Sequence, residues 1–222
     1  LRDARHPLLQ IDQDAIPNTV TLDEGRSVLI VSGPNAGGKT VVLKTVGMLH
    51  LMAKAGLMIP ADEKSQVFLF DHLWLEMGDA QSLESNLSTF SGHIEGLKPI
   101  LAGAGARDLV LLDEIAVGTD PQTGAAIAQS LLEQLAQQKA STLVTTHFDA
   151  LKGLAIQDTR FRNGSMEYSI QDYRPTYKLI LDVPGQSYGI EVAEKLGLPE
   201  KVVTRARELR GATASTLDEA VT

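Results

Sequence analysis

Short apolar runs alternate along the chain with longer segments in which apolar residues recur at helical spacing. The short runs are typical of strands buried in a sheet, and the longer segments are typical of helices that pack one face against it. The pattern predicts strands at Ser27–Val31, Val67–Leu69, Leu73–Glu76, Leu109–Leu112, Thr142–Thr145, Ser165–Ile170 and Tyr177–Leu181. It predicts helices at Thr40–Ala55, Phe90–Ile100, Gly124–Gln138 and Asp149–Ile156. This alternation predicts an α/β fold with a mixed, mostly parallel sheet flanked by helices.

The pattern changes after Pro184. The stretch "GIEVAEKLGLPEKVVTRARELRG" has helical apolar spacing on both sides of a break at Gly197–Pro199, which predicts a helix-turn-helix hairpin. The sequence therefore predicts a main domain over residues 1–188, a helical hairpin over 189–210 and a disordered tail over 211–222.

Composition narrows the class of protein. The chain has 222 residues, of which 43% are hydrophobic and 22% charged, as expected for a folded globular domain. It has no cysteine, which suits a reducing, cytoplasmic location. The most apolar long run, Val41 to Ala61, contains Lys44, His50 and Lys54, so we expect no membrane association.

Net charge bears on possible partners. The net charge is −8 and the sequence pI is about 5.1, the wrong sign for binding nucleic acid by phosphate neutralisation. Any DNA or RNA contact is therefore expected from another domain. The chain begins with Leu1 rather than methionine, and we interpret it as a segment of a longer protein.

The first chemical motif is "VLIVSGPNAGGKT", in which an apolar strand runs into a glycine-rich turn and then a helix. The pattern Gly33-x-x-x-x-Gly38-Lys39-Thr40 in this context predicts a phosphate-binding loop, although a chance glycine turn is the alternative. Glycines let backbone N–H groups wrap a polyphosphate at the positive end of the helix. Lys39 is expected to reach the β- and γ-phosphates, Thr40 to offer a hydroxyl to Mg²⁺, and Asn35 to add a side-chain hydrogen bond.

A second motif, "DLVLLDEI", ends an apolar strand in two carboxylates, Asp113 and Glu114. Parallel strands deliver their last side chains to the edge where a phosphate loop lies. Asp113 is expected to act on Mg²⁺ through its water shell, and Glu114 to orient or deprotonate a water beside the γ-phosphate. A merely solvated acidic strand end is the alternative.

Two further polar residues follow these strands. His147 ends the apolar run of "LVTTHF", where it could respond to the state of the nucleotide or could be an ordinary cap or surface group. Asp120 in "DPQTG" can be a helix N-cap with Pro121 in the first helical position, in addition to any role at the site.

The polar stretch "SNLSTFSGHI" lies between the phosphate-loop motif and the carboxylate motif. Its serines and threonine can cap the start of a helix and form an anion-binding end. Because the Gly33–Thr40 loop already surrounds one set of phosphates, this end is most useful if it covers the nucleotide of a second subunit. The alternative is a cap that serves only its own helix.

The order of these motifs resembles that of the ATP-binding-cassette (ABC) ATPases. More closely, "RHPLL", "GPNAGGKT", "LSTFSGHI", "LLDEIAVGTDP" and "PGQSYGIEVAEKLGLP" resemble the MutS family, in particular its type-two bacterial branch. The resemblance extends from Leu1 to about Arg210. It implies a P-loop NTPase of the ABC-ATPase type that binds ATP or ADP with Mg²⁺ and acts as a homodimer, in part through the C-terminal hairpin.

The resemblance also implies roles for individual residues. The phosphate-binding residues would be Gly33, Pro34, Asn35, Ala36, Gly37, Gly38, Lys39 and Thr40. The metal would be held by Thr40 and Asp113, with Gln81 in a metal-sensing loop. Glu114 would orient or deprotonate the attacking water, and Ser88 would reach the γ-phosphate of the partner subunit. Asp120 would act across the dimer, and His147 would be a switch.

The sequence departs from the family pattern at the residue expected to bind the adenine base. Mismatch-repair members of the family stack adenine on an aromatic residue upstream of the phosphate loop, but no aromatic residue occurs here between Pro7 and Ser32. Ile16 is the residue expected to offer an apolar contact instead.

The family resemblance leaves alternatives open. Full-length type-two members resemble clamps that suppress homologous recombination and act on branched DNA; they carry a C-terminal Smr nuclease domain, and some are linked to splitting collided ribosomes. This sequence contains neither clamp arms nor that domain, so DNA, ribosome and nuclease functions are expected elsewhere in the longer protein. A chromosome-maintenance or transporter cassette, and a nucleotide-dependent dimerisation module with little turnover, are the other hypotheses.

Overall fold

The structure is a computed structural model of the chain. It describes residues 1–12, 15–23, 25–78, 86–169, 171–186 and 188–219. Within these ranges, none of the helices combines the length and the apolar character needed to cross a membrane.

The centre of the fold is a six-stranded sheet in the order β2-β3-β4-β1-β5-β6. Its strands are β1 Val28–Ser32, β2 His72–Met77, β3 Asp108–Asp113, β4 Ser141–Thr145, β5 Phe161–Ser169 and β6 Arg174–Leu181. All neighbouring pairs are parallel except β5 and β6, which form an antiparallel hairpin. The prediction of a mixed, mostly parallel sheet flanked by helices is confirmed.

The helices supply the outer layers. They are α1 Pro7–Asp12, α2 Lys39–Lys54, α3 Asn86–Gly103, α4 Pro121–Gln137, α5 Asp149–Lys152, α6 Leu154–Gln157, α7 Gly189–Lys195 and α8 Glu200–Glu219. A short 3₁₀ turn, Asn35–Gly37, precedes α2.

Two apolar clusters lie on opposite faces of the sheet. In β1, Val28 and Ile30 belong to the cluster with α3 and α4, whereas Leu29 and Val31 belong to the cluster with α2. Because successive side chains of a strand point to opposite faces, a strand covered on both faces reads as a continuous apolar run. This explains why β1 and β3 were visible in the sequence as unbroken apolar segments.

The predicted strand at Val67–Leu69 is wrong, because the structure has no strand there. Phe68 and Leu69 are largely exposed, and the Phe68 ring contacts the ring of Phe70 and the Arg107 guanidinium. The apolar run therefore covers part of the surface instead of joining the sheet.

The predicted helix Asp149–Ile156 is two short helices, α5 and α6, interrupted at Gly153. The Lys152 carbonyl accepts a hydrogen bond of 2.9 Å from the Asn163 amide. A continuous helix would give that carbonyl to the N–H of Ile156, which instead donates to Gly153.

The C-terminal segment forms α7 and α8, separated by a turn in which Gly197 has φ +88°. Ion pairs join the two helices, with Arg207 bound to Glu194 and Arg210 close to Glu191. Helix α8 extends to Glu219, and the division of the chain into a main domain, a hairpin and a tail stays a prediction.

Candidate active site

The glycine-rich loop leaves the end of β1 in the middle of the sheet. Gly33 has φ +133° and Gly38 has φ +92°, conformations that side chains with a Cβ rarely adopt. A Cβ on Gly33 would also come within 3.1 Å of the Met166 Cβ. Both glycines are therefore required by the backbone path.

Between these glycines the loop turns tightly. Pro34 is extended, and the Gly37 N–H donates to the Pro34 carbonyl at 2.9 Å. Ala36 lies in the 3₁₀ turn and lines the adjoining pocket. Asn35 is in the same turn, and its predicted side-chain hydrogen bond stays a prediction because that side chain lies outside the described part of the structure.

Lys39, the first residue of α2, is almost fully buried. Its ammonium donates to the Gly33 carbonyl at 2.9 Å and lies 3.6 Å from Glu114 Oε1. Burial lowers the pKa of Lys39, while the neighbouring carboxylates Glu114 and Asp113 act in the opposite direction. The two carboxylates thus offset part of the effect of burial on the Lys39 ammonium.

Thr40 and Asp113 meet directly. The Thr40 hydroxyl donates to Asp113 Oδ2 at 2.8 Å, which brings α2 and the end of β3 together. Oxygen ligands suit Mg²⁺, which takes few protein ligands when phosphates supply the rest. Thr40 and Asp113 therefore offer a donor set that fits a phosphate-bound Mg²⁺.

Glu114 follows β3 with φ +50°, an uncommon conformation for a residue with a side chain. Its N–H lies 3.1 Å from the Thr145 carbonyl and 3.0 Å from the Thr145 hydroxyl. Its carboxylate is partly exposed, beside Lys39. This turn places Glu114 at the edge of the site, where a side chain can face both a phosphate and water.

Asp120 is the N-cap of α4. Its Oδ1 accepts a hydrogen bond of 2.9 Å from the Thr123 N–H, and Pro121 occupies the first turn. The hydrogen bond from the Thr123 N–H is the main cause that holds the pKa of Asp120 below its ordinary value. Asp120 is therefore a helix N-cap, as the sequence indicated, and its role across a dimer stays a prediction.

His147 lies two residues beyond the end of β4 and is exposed. Its ring contacts the ring of Phe148, with centroids 5.0 Å apart. The structure thus places His147 near the strand end that pairs with Asp113, and its role as a switch stays a prediction.

The polar stretch forms the beginning of a long helix. Helix α3 starts at Asn86, so Ser88 lies within its first turn, earlier than the predicted start at Phe90. Gln81 and the Ser88 side chain lie outside the described part of the structure, and the contacts predicted for them are therefore not tested.

A pocket of about 580 Å³ adjoins the phosphate loop. Ile16 lines this pocket, and Tyr177 of β6 provides an aromatic wall. The contact of Ile16 with the base stays a prediction. Asn18 connects these walls, because its amide donates to the carbonyls of Ile16 at 3.4 Å and Tyr177 at 3.0 Å. Its Oδ1 accepts from the Leu179 N–H at 2.6 Å.

Tyr177 and Asn18 were not predicted from the sequence. The prediction looked for an aromatic residue before the phosphate loop, whereas the structure brings one from much later in the chain. No local spacing links Asn18 with Tyr177, because their proximity depends on the pairing of β6 at the sheet edge.

The parallel sheet, the glycine loop between β1 and α2, and the carboxylates after β3 define a phosphate-loop nucleotide-binding domain. A comparison with known families agrees with this class of domain, since residues 29–213 match the model of MutS domain V. The chain belongs to the MutS domain V family, a family of P-loop ATPase domains.

Curated relatives extend this similarity. The chain is 50% identical to an endonuclease MutS2 of Thermomicrobium roseum over 221 residues, which is 100% of this chain and 28% of that protein. It is 48% identical to the endonuclease MutS2 of Pelotomaculum thermopropionicum and 45% identical to that of Bacillus velezensis, in each case over 207 residues. Those two matches cover 93% of this chain and 26% of each relative. The chain thus spans about a quarter of the length of these relatives.

Proposed function

We propose that this domain is an ABC-type ATPase that hydrolyses ATP to ADP and phosphate with Mg²⁺. The observation that supports the proposal is the convergence of Lys39, Thr40, Asp113 and Glu114 at the end of the central strands. Phosphoryl transfer depends mainly on positioning and electrostatic stabilisation, and these four side chains supply both.

Each side chain has a distinct task in this reaction. The loop N–H groups and the Lys39 ammonium bind the phosphates, while Thr40 and Asp113 hold Mg²⁺. The metal supplies charge neutralisation on the phosphates. Glu114 accepts a proton from the attacking water, or orients it, at the exposed edge of the site. Tyr177 and Ile16 enclose the base.

We further propose that turnover takes place in a homodimer. The start of α3, with Ser88, would cover the nucleotide of the partner subunit, because N-terminal helix turns leave N–H groups free to bind anions. Helices α7 and α8 would form the second part of the interface. Leu196, Leu198 and Val202 are exposed there, and burial of such side chains between subunits is favourable.

The longer protein is proposed to be a DNA-processing protein of the MutS type-two branch. Two kinds of observation support this: relatives of similar sequence are named endonucleases, and this chain covers only about a quarter of their length. Because the net charge is −8, contact with branched DNA, or with a ribosome, would come from other domains. Suppression of recombination and nuclease activity would likewise depend on those domains.

The decisive experiment measures ATP hydrolysis per subunit against protein concentration, together with sedimentation with and without a non-hydrolysable ATP analogue. We expect specific activity to rise with concentration and the analogue to drive dimer formation. Constant activity from a monomer would contradict the shared site. Nucleotide-driven dimers without turnover would contradict the ATPase and favour a dimerisation module.

A further inference from the structure

Thr145 is the last residue of β4 and is fully buried. In the sheet it is the Cα partner of Val31 in β1 on one side and of Asp113 in β3 on the other. Its position is therefore between the strand that enters the phosphate loop and the strand that delivers the carboxylates.

The Thr145 hydroxyl makes two hydrogen bonds, one to each residue of the carboxylate pair. It donates to Asp113 Oδ1, and it accepts from the Glu114 N–H at 3.0 Å. A hydroxyl has one donor and two acceptor positions, so a single side chain can satisfy both partners at once.

Asp113 depends on this hydroxyl for its orientation. Thr145 donates to Oδ1 and Thr40 donates to Oδ2 at 2.8 Å, so each carboxylate oxygen has its own hydroxyl donor. Asp113 is only 8% exposed. Loss of one donor would leave a buried carboxylate oxygen without that partner, which is costly and favours rotation of the group.

Glu114 depends on Thr145 in a second way. Its backbone has φ +50°, and such a conformation persists only where surrounding contacts hold it. The Thr145 carbonyl and hydroxyl together accept the Glu114 N–H. Removal of the hydroxyl takes away one of these two acceptors and loosens the turn that aims the carboxylate.

We propose that Thr145 is a positioning residue that fixes the metal-binding carboxylate of Asp113 and the water-directing carboxylate of Glu114 through one hydroxyl. This inference rests on the proposed ATPase function. The neighbouring threonines do not have this arrangement: the Thr142 hydroxyl donates to the Ala140 carbonyl at 3.2 Å, and the Thr146 hydroxyl accepts from the Phe148 N–H at 3.0 Å.

The test compares Thr145→Val, which removes the hydroxyl at nearly constant volume, with Thr145→Ser, which keeps it. Thr142→Val is the matched control, because it makes the same change at another buried position of β4. Thr145→Ala is a second variant without the hydroxyl, and circular dichroism with thermal unfolding establishes that each protein is folded.

Two readouts are measured. In ATP turnover, we expect Thr145→Val to lower kcat about tenfold or more, with Thr145→Ser within about threefold of wild type. In titrations with a fluorescent non-hydrolysable ATP analogue, we expect Thr145→Val to bind as wild type without Mg²⁺ but to gain less affinity when Mg²⁺ is added. Thr142→Val is expected to match wild type in both.

The outcomes separate this inference from the proposed function. Wild-type kcat and Mg²⁺ dependence in Thr145→Val would overturn the positioning role, and so would equal losses in Thr145→Ser and Thr145→Val. If the wild-type protein shows no turnover, the ATPase proposal fails. In that case the Mg²⁺-dependent gain in binding still decides whether the Thr145 hydroxyl positions Asp113.

Discussion

The Lys39 ammonium lies 3.6 Å from Glu114 Oε1. These residues are distant in the sequence, one at the start of α2 and the other just after β3. A phosphate bound by Lys39 is therefore necessarily adjacent to Glu114. This proximity allows the two tasks proposed for the site, phosphate binding and water activation, to be tested separately by single substitutions.

Glu114→Gln should keep nucleotide binding and lose turnover. The amide has nearly the same shape as the carboxylate but cannot accept the proton of the attacking water, so we expect kcat to fall about a hundredfold or more. Steady-state hydrolysis and analogue binding measure the two effects. Glu133→Gln is the control and should behave as wild type, because Glu133 lies in α4 and accepts a hydrogen bond from the Gln129 amide. Near-normal hydrolysis by Glu114→Gln would remove the role assigned to this residue.

Ser88→Arg should stop turnover in the partner's site while its own phosphate loop still binds nucleotide. Mixed with Lys39→Ala, which keeps Ser88, it should regain about a quarter of wild-type activity, because random pairing gives half heterodimers with one complete site each.

The control for this mixing experiment is the double variant that carries both changes, since its mixture with Ser88→Arg can form no complete site. Activity of Ser88→Arg alone, together with no gain on mixing, would show that the start of α3 acts only within its own chain.

Tyr177→Ala should weaken nucleotide binding about fivefold to tenfold, because it removes the aromatic wall of the pocket. Tyr177→Phe should stay within about twofold of wild type, since it keeps the ring. Tyr173→Ala is a matched control: Tyr173 also has a positive φ, but its ring contacts Lys195. Fluorescence anisotropy with a labelled ATP analogue measures the affinities. Equal losses in the two alanine variants would contradict a specific contact with the base.

His50 should make stability depend on pH. Burial is the main cause that lowers its pKa from the ordinary value of 6.5, and its Nδ1 lies 2.9 Å from the Val46 carbonyl. The unfolded chain then binds a proton more readily than the folded one, so the stabilisation is present above pH 6.5 and is lost as pH falls through the folded-state pKa.

Urea denaturation from pH 8 to pH 5 measures this effect. His50→Leu and His50→Asn should both have a smaller fall in the free energy of unfolding over that range, although they differ in packing. An unchanged pH profile in both variants would show that His50 does not titrate differently on unfolding.

The sequence was most informative where strand, loop and helix are adjacent along the chain. The path from β1 through Gly33 and Gly38 to Lys39 is continuous in the sequence. Because its backbone conformation requires glycine at fixed positions, the spacing of the glycines predicts the loop. The carboxylates after β3 were predictable for a similar reason, because parallel strands end at a common edge.

The remaining features depend on contacts between distant segments. Tyr177 reaches the pocket through the pairing of β6, and Thr145 reaches Asp113 through the register of β3 and β4. Apolar composition alone was misleading at Val67–Leu69, since strand formation also requires a partner strand. None of these contacts between distant segments produces a periodic pattern or a fixed spacing in the sequence.

The position of β1 in the sheet has a consequence for biosynthesis. Both of its hydrogen-bonding neighbours come more than a hundred residues later, with Val28 paired to Thr142 in β4 and to Phe161 in β5. On the ribosome, the segment that forms the phosphate loop is therefore made long before the strands that hold it in place. Non-local parallel pairing is slow, so this ligand-binding loop acquires its shape only after most of the domain has emerged from the exit tunnel.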